Sequence, residues 1–384
     1  MYLHPSCYPI TEDRGIKQKQ GFCLSIYIDS IRCVHGTKKR MLKSKSNLQL
    51  VIVFIFFSLS GFGCAITPRT VDTPGVASTL RVMVWNVLHG ANDVTNGADK
   101  ALKIIRDTKP DIVMLQESYD INDERPKLGA WLAGELGWNQ HQAQSTHLCV
   151  LTPLKIETTF FHHEWHGVGA RLRDSVGREL LAWSTWIDYR SFITYTLRDT
   201  PEISDEDLLA GEHVGSNRQQ QADAIIAHLR DTGQLSADIP LLVGGDWNCP
   251  SHLDWTVDAA RVYKRRRVLP LPVSMAMQSA GFTDAFRELY PNPVQRPGIT
   301  WSPMYRTKGE GDEQVEQGFE RIDRLYLKNP SSPKNDWILR STAGHVLPIV
   351  WEDDSIPVVD RQFPSDHGAL VIDLEWSKAS IEIE

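Results

Sequence analysis

Apolar residues follow two rhythms along this chain: short runs that stop abruptly at a polar residue, and stretches spaced at the turn of a helix. From Thr79 the run LRVMVWNVLHG predicts a strand ending at Asn86, and ADKALKIIRDTKPDIVMLQES predicts a helix and then a strand ending at Glu117. Strand, helix, strand is the opening of a layered α/β fold. KLGAWLAGELGW predicts a helix, and HLCVLTPL, KIETTFFHHEW and ELLAWSTWIDY predict strands. The polar stretch 198–216 predicts an excursion loop, and NRQQQADAIIAHLRDTG predicts an amphipathic helix with Ile225, Ile226 and Leu229 on one face and Gly233 closing it. A buried strand over 239–243 then runs into Gly244-Gly245 and the polar cluster DWNCPSHLDW. Residues 268–281 predict a helix, 307–317 an exposed loop, and ERIDRLYLKN and GALVIDLEW two more strands. No repeat or long linker divides the stretch, so 79–376 reads as one domain.

The N-terminus follows another pattern. Lys43 and Lys45 precede an apolar run from Leu48 to Phe62, then small residues and Cys64, the layout of an export leader over 41–64. The run is too short for a comfortable membrane span, so cleavage or lipid attachment at Cys64 is expected instead. Residues 1–40 read as an upstream extension of a mis-assigned start. The expectation is an exported protein: periplasmic, anchored to the outer membrane or secreted.

Charge and cysteine usage narrow the partners. The chain has a net charge of −7, and residues 1–64 hold nine of its 41 Lys+Arg but three of its 48 Asp+Glu, so the remainder is more acidic still. Such a surface repels polyanions over most of its area. The one basic cluster, RVYKRRR over 261–267, reads more readily as a solvated helix face than as an anion site. Of the 6 cysteines only Cys149 and Cys249 lie beyond the leader, which excludes a disulfide framework.

The polar residues that stop the apolar runs form a chemical set. Asn86, Glu117, Asp246 with Asn248, and Asp366 with His367 each lie at or just beyond a strand end, where loops of a layered sheet gather on one rim. Oxygen-rich carboxylates and amides with one histidine are what metal-assisted phosphoryl hydrolysis needs. In order, WNVLHG, LQE, GGDWN, ERIDRLY and PSDHGAL resemble the motifs of the endonuclease/exonuclease/phosphatase superfamily.

That resemblance implies a four-layer α/β/β/α sandwich of two mixed sheets flanked by helices. It implies Glu117 as the principal Mg²⁺ ligand, with Mn²⁺ the alternative, Asn86 beside it orienting metal or phosphate, and Asp366 as a further metal ligand. It makes His367 a general base or phosphate-polarising group whose ring Asp323 orients, Asp246 the group acting on the attacking water, and Asn248 a donor to a phosphate oxygen. The third motif departs, because Thr185-Trp186 stands where the family has threonine-histidine. An indole offers one donor and no acceptor, so Trp186 cannot serve as acid or base. The upstream Thr146-His147-Leu148 falls on a different strand, and His147 is read as incidental. Trp186, Arg218, His252, Trp255 and Trp301 are candidate substrate-binding residues, with Asp254 beside them.

The leading expectation is a monomeric phosphodiesterase or phosphatase acting outside the cytoplasm on a small or lipid-linked phosphoester, with membrane contact through the lipid anchor. Two alternatives remain open: a secreted nuclease acting on nucleic acid, and a binding module that kept the fold and lost turnover.

Overall fold

The computed structural model describes residues 71–72, 76–77, 79–123, 126–263, 267–308 and 315–379, all within the compact unit Ile66–Glu384. The predicted extension and leader, 1–64, lie outside the described residues, as do 264–266 of the basic run.

Two six-stranded sheets face each other. The first comprises β1 (Thr79–Asn86), β2 (Ile112–Gln116), β3 (Asn139–His141), β4 (Cys149–Thr152), β11 (Trp337–Leu347) and β12 (Ala369–Lys378), in the order β11-β12-β1-β2-β4-β3. The second comprises β5 (Lys155–His163), β6 (Gly167–Arg173), β7 (Glu179–Trp186), β8 (Leu241–Asp246), β9 (Thr283–Asp284) and β10 (Asp323–Lys328), in the order β9-β10-β8-β7-β6-β5. At the centre of each sheet two strands run parallel, β1 with β2 and β7 with β8, among otherwise antiparallel pairs. Both sheets are therefore mixed.

The period of two along each strand builds the layers. Leu80, Val82 and Val84 of β1 pack between the sheets with Met114, Leu242 and Leu325, while Met83 and Trp85 face the opposite way. There they meet helices α1 (Gly97–Thr108) and α2 (Leu128–Leu136), through Ala101, Leu102, Ile105 and Leu132. On the far side Leu181, Trp183 and Val243 pack against α3 (Arg218–Asp231) and α4 (Pro272–Ser279), through Ile225, Leu229, Val273 and Met277. The result is the four-layer α/β/β/α sandwich. Gly244 sets how closely the sheets approach, since a β-carbon there would lie 2.5 Å from Met114 Sδ and 2.6 Å from Val84 Cγ2. Overpacking of that kind costs about 1–3 kcal/mol.

Several elements differ from the sequence reading. β6 breaks the apolar pattern with Gly167 and Gly169, because the Trp183 indole lies where a Gly169 side chain would stand, 2.4 Å from the ring carbons. The 198–216 excursion contains a helix, Asp205–Ala210, capped by Ser204 accepting from the Asp207 N–H. Thr307–Lys308 pairs with Val315–Glu316 as a small hairpin whose connecting residues are not described. Among the described residues no helix is long and apolar enough to cross a membrane.

Candidate active site

The parallel pairing explains why the polar strand ends meet. Asn86 pairs with Gln116 at the ends of β1 and β2, so Glu117 leaves its strand beside Asn86. Asp246 pairs with Trp186 on one side and Asp323 on the other. His367 precedes β12, which lies against β1, and its carbonyl accepts the Trp85 indole N–H at 3.2 Å. All lie at one edge of the sandwich.

Asn86 is the hub. Its side-chain N–H group reaches Glu117 Oε1 at 3.0 Å and Asp246 Oδ2 at 3.1 Å, with His367 Nε2 at 3.4 Å. Its oxygen accepts the Leu88 amide at 3.0 Å, which fixes the orientation of the amide group. Asn86 thus binds two carboxylates together and has no uncommitted oxygen facing them, so the expectation that it ligates metal is not met by this geometry. Asn248 is similarly occupied, donating its side-chain N–H to Ile187 O at 2.8 Å and to Asp246 Oδ2 at 3.1 Å. It holds Asp246; a phosphate contact requires one of these bonds to exchange.

His367 is clamped. Its Nδ1 lies 2.9 Å from Asp323 Oδ2, and its Nε2 points toward Asp246 Oδ2 at 3.8 Å. Trp301 covers the ring at 4.8 Å between centroids. Burial opposes a charged imidazole, but the carboxylates of Asp323 and Asp246 outweigh it and raise the ring well above its ordinary value. Burial lifts the Asp246 carboxyl to about 7 against the opposing pull of His367.

The ligand atoms of Asp246, Asp323 and His367 lie within 4.8 Å of one another, close enough to hold a cation. A protonated imidazole between two carboxylates already compensates their charge, however, and Nδ1 is committed to Asp323. Asp323 Oδ1 is nonetheless buried there without a hydrogen-bond partner, and a second such oxygen lies next to it. Asp366 Oδ1 is buried without a hydrogen-bond partner, and burial lifts that carboxyl to about 7, with His367 opposing and the nearby Glu117 reinforcing the rise. Two carboxylates lining one cavity, one of them with an orphaned oxygen, fit a divalent cation held by Glu117 and Asp366. When bound, such an ion polarises the phosphoryl oxygens and neutralises developing charge.

The arrangement assigns chemistry to the chain's own groups. The charged His367 Nε2–H can donate to a phosphoryl oxygen or leaving group, Asp323 keeping its tautomer fixed. Asp246, titrating near neutrality, can accept a proton from water held between it and the phosphorus. Both open onto a cavity of about 420 Å³, walled by Tyr119, Trp165, Trp186, Tyr189, Phe192, Tyr195 and Trp301.

Trp186 and Trp301 therefore stand in the cavity wall. The other expected substrate contacts do not reach it. Arg218 is fully buried, paired with Glu212 at 2.7 Å and donating to the carbonyls of Asp188 and Ser191 at 3.0 and 2.9 Å, which ties the excursion to α3. Trp255 is buried among Ile193, Leu197, Leu269 and Leu271. His252 is held by Ser274 and Gln278 at 2.8 and 2.9 Å, beside a different cavity. Asp254 is buried between Arg287 and Arg321. Arg321 and Arg324, which flank Asp323, are themselves buried, Arg321 also binding Asp284 at 2.7 Å and Arg324 donating to Cys249 O.

Other residues come to the site without having been expected. His89 donates its amide to Glu117 Oε2 at 3.1 Å and lines the cavity; its signal was its place in WNVLHG. Tyr189, Phe192 and Tyr195 sit just before the polar excursion, and only the proximity of Tyr189 to Trp186 hinted at a shared wall. His147, read from the sequence as incidental, accepts the Glu117 backbone N–H on its Nδ1 at 3.1 Å.

Several known proteins are similar to this chain. A Caenorhabditis elegans protein, uncharacterized protein F14F9.5, is 29% identical over 329 residues, covering 84% of this chain and 99% of that one. Among solved structures, a humanized Danio rerio TDP2 is 15% identical with a TM-score of 0.47, covering 78% of this chain and 99% of its own. The human Nocturnin catalytic domain with bound sulfate is 18% identical with a TM-score of 0.44, covering 78% and 95%. The family model for the Endonuclease/Exonuclease/phosphatase family matches residues 83–367, which run from within β1 to His367 and include Asn86, Glu117, Asp246, Asp323 and Asp366. The chain belongs to the Endonuclease/Exonuclease/phosphatase family and is a metal-dependent phosphoric ester hydrolase.

Proposed function

We propose that this enzyme is a Mg²⁺-dependent phosphodiesterase or phosphatase that cleaves a small or lipid-linked phosphoester after export. The observation that carries the substrate class is the composition of the cavity wall. Seven aromatic residues surround the catalytic groups, and no lysine or arginine is among the described residues lining the cavity. A site that tracks a nucleic-acid backbone needs cations along its groove. An aromatic wall around carboxylates instead suits one phosphate attached to an apolar or flat group. The oxygen donors Glu117 and Asp366 favour magnesium over a softer ion. Export rests on the leader pattern of 41–64 alone.

The test is hydrolysis by the purified chain of an aryl phosphodiester, an aryl phosphomonoester, phospholipid vesicles and DNA, each with Mg²⁺ and with chelator. The proposal expects turnover of small or lipid esters that changes little with salt. Preferential cleavage of DNA, with a steep fall as salt rises, would favour the nuclease. Binding without turnover of any ester would favour a ligand-binding module.

A further inference from the structure

Glu117, the carboxylate at the cation site, sits on strained backbone. Its φ is +56°, a left-handed conformation that a residue with an ordinary side chain adopts only when its surroundings hold it there. The holding groups are visible. Its carbonyl accepts from Gly90 N at 2.8 Å and Tyr119 N at 2.7 Å, and its own amide donates to the imidazole Nδ1 of His147 at 3.1 Å. The next amide, Ser118 N, donates to His147 O at 2.9 Å. One residue thus captures two consecutive amides as the chain leaves β2, one with its side chain and one with its backbone.

The imidazole is oriented as well as placed. Nδ1 can accept only if the proton resides on Nε2, and Nε2 lies 3.3 Å from Trp165 O, an acceptor that selects that tautomer. The ring is fully buried, near-parallel to Tyr119 at 5.4 Å between centroids, 4.9 Å from Trp165 and edge-on to Trp186 at 5.5 Å. These three are walls of the cavity. A ring needed only for packing would require neither the acceptor nor the tautomer.

We infer that His147 is a positioning residue, whose neutral ring fixes the Glu117 backbone so that its carboxylate faces the cation, and seats the Tyr119, Trp165 and Trp186 walls from behind. The inference rests on Glu117 being a metal carboxylate. A hydrogen-bonding partner one layer behind a metal ligand typically accounts for about 10–100-fold in metal affinity.

The test is calorimetric titration of Mn²⁺ and Mg²⁺ into wild type, Glu117→Gln, His147→Phe and His147→Asn, with thermal melts in chelator as the folding control. Phenylalanine keeps the stacking and loses the acceptor; asparagine keeps an acceptor at a similar reach. Weakening of metal binding by about 10–100-fold in His147→Phe, with partial recovery in His147→Asn, is expected. Wild-type affinity in His147→Phe, where Glu117→Gln loses affinity, would overturn the role of His147 alone. Unchanged affinity in Glu117→Gln would overturn the cation site itself. If His147→Phe does not fold, the tautomer in the wild-type chain decides, from nitrogen NMR of labelled histidine. Protonation on Nε2 alone supports the inference, and a proton on Nδ1 contradicts it.

Discussion

His367 Nδ1 lies 2.9 Å from Asp323 Oδ2, in a pair buried at the junction of the two sheets. Asp323 opens β10 and His367 precedes β12, so the bond joins one sheet to the other. It leaves Nε2 facing Asp246 and the cavity. The pair orients an acid and also ties the layers at the rim.

Replacing His367 by alanine removes the donor to the phosphate and should lower kcat by about 10²–10⁴-fold. Asp323→Asn keeps a hydrogen-bonding side chain but can present its amide nitrogen to the ring, and should cost less. Steady-state kinetics on a small phosphodiester, with melting curves to verify folding, distinguish the two. Equal rates for wild type and His367→Ala would remove His367 from the chemistry.

Trp186 pairs with Asp246 across β7 and β8 and presents its ring to the cavity. Trp186→His restores the residue expected of the third motif and removes an aromatic wall. If Trp186 serves substrate binding, KM for an aryl or lipid ester rises with a smaller change in kcat. A rise in kcat at unchanged KM would instead mark Trp186 as a defect in the catalytic set.

Arg218 tests the distinction between a structural and a substrate-binding cation. Arg218→Leu leaves Glu212 buried and unpaired, at a cost of about 3–5 kcal/mol in urea unfolding. The folded fraction should keep the wild-type KM. A raised KM without loss of stability would return Arg218 to the site.

Much of the rim was legible because each apolar run ended at the residue that matters: Asn86, Glu117 and Asp246 follow their strands directly, and a strand end points to an edge wherever layers stack. Parallel neighbours then bring like ends together, which is why Asn86 and Glu117 are hydrogen-bonded. His147, Arg218 and Asp254 were misread for a common reason. Their roles are set by the partners that folding brings to them, so a buried ion pair, Arg218 with Glu212 or Asp254 with Arg321, looks locally like any polar residue. β6 was missed because Gly167 and Gly169 lower strand propensity, and the indole that compensates for them comes from β7.

Glu179 predicts an acid limit to stability. Burial alone would raise its carboxyl, but hydrogen bonds from Lys334 and Arg171 outweigh it and hold it at about 2, below its ordinary value of 4.5. The folded value is the lower one, so the stabilisation is present above the unfolded value and is lost as pH falls from 4.5 toward 2. Thermal melts should show wild type losing stability more steeply than Glu179→Gln across that window. Parallel curves would mean the carboxylate contributes nothing there.

The central claim is that the His367–Asp323 pair and Asp246 hydrolyse a phosphoester at this rim, where Glu117 and Asp366 would hold the cation the reaction requires. The most direct measurement is the hydrolysis rate of a small aryl phosphodiester by wild type and Glu117→Gln, in chelator and across a Mg²⁺ titration. The account predicts no turnover in chelator, recovery on adding Mg²⁺, and a strong shift of the Mg²⁺ requirement to higher concentration in Glu117→Gln. Full activity in chelator, or identical Mg²⁺ curves for the two proteins, would contradict it.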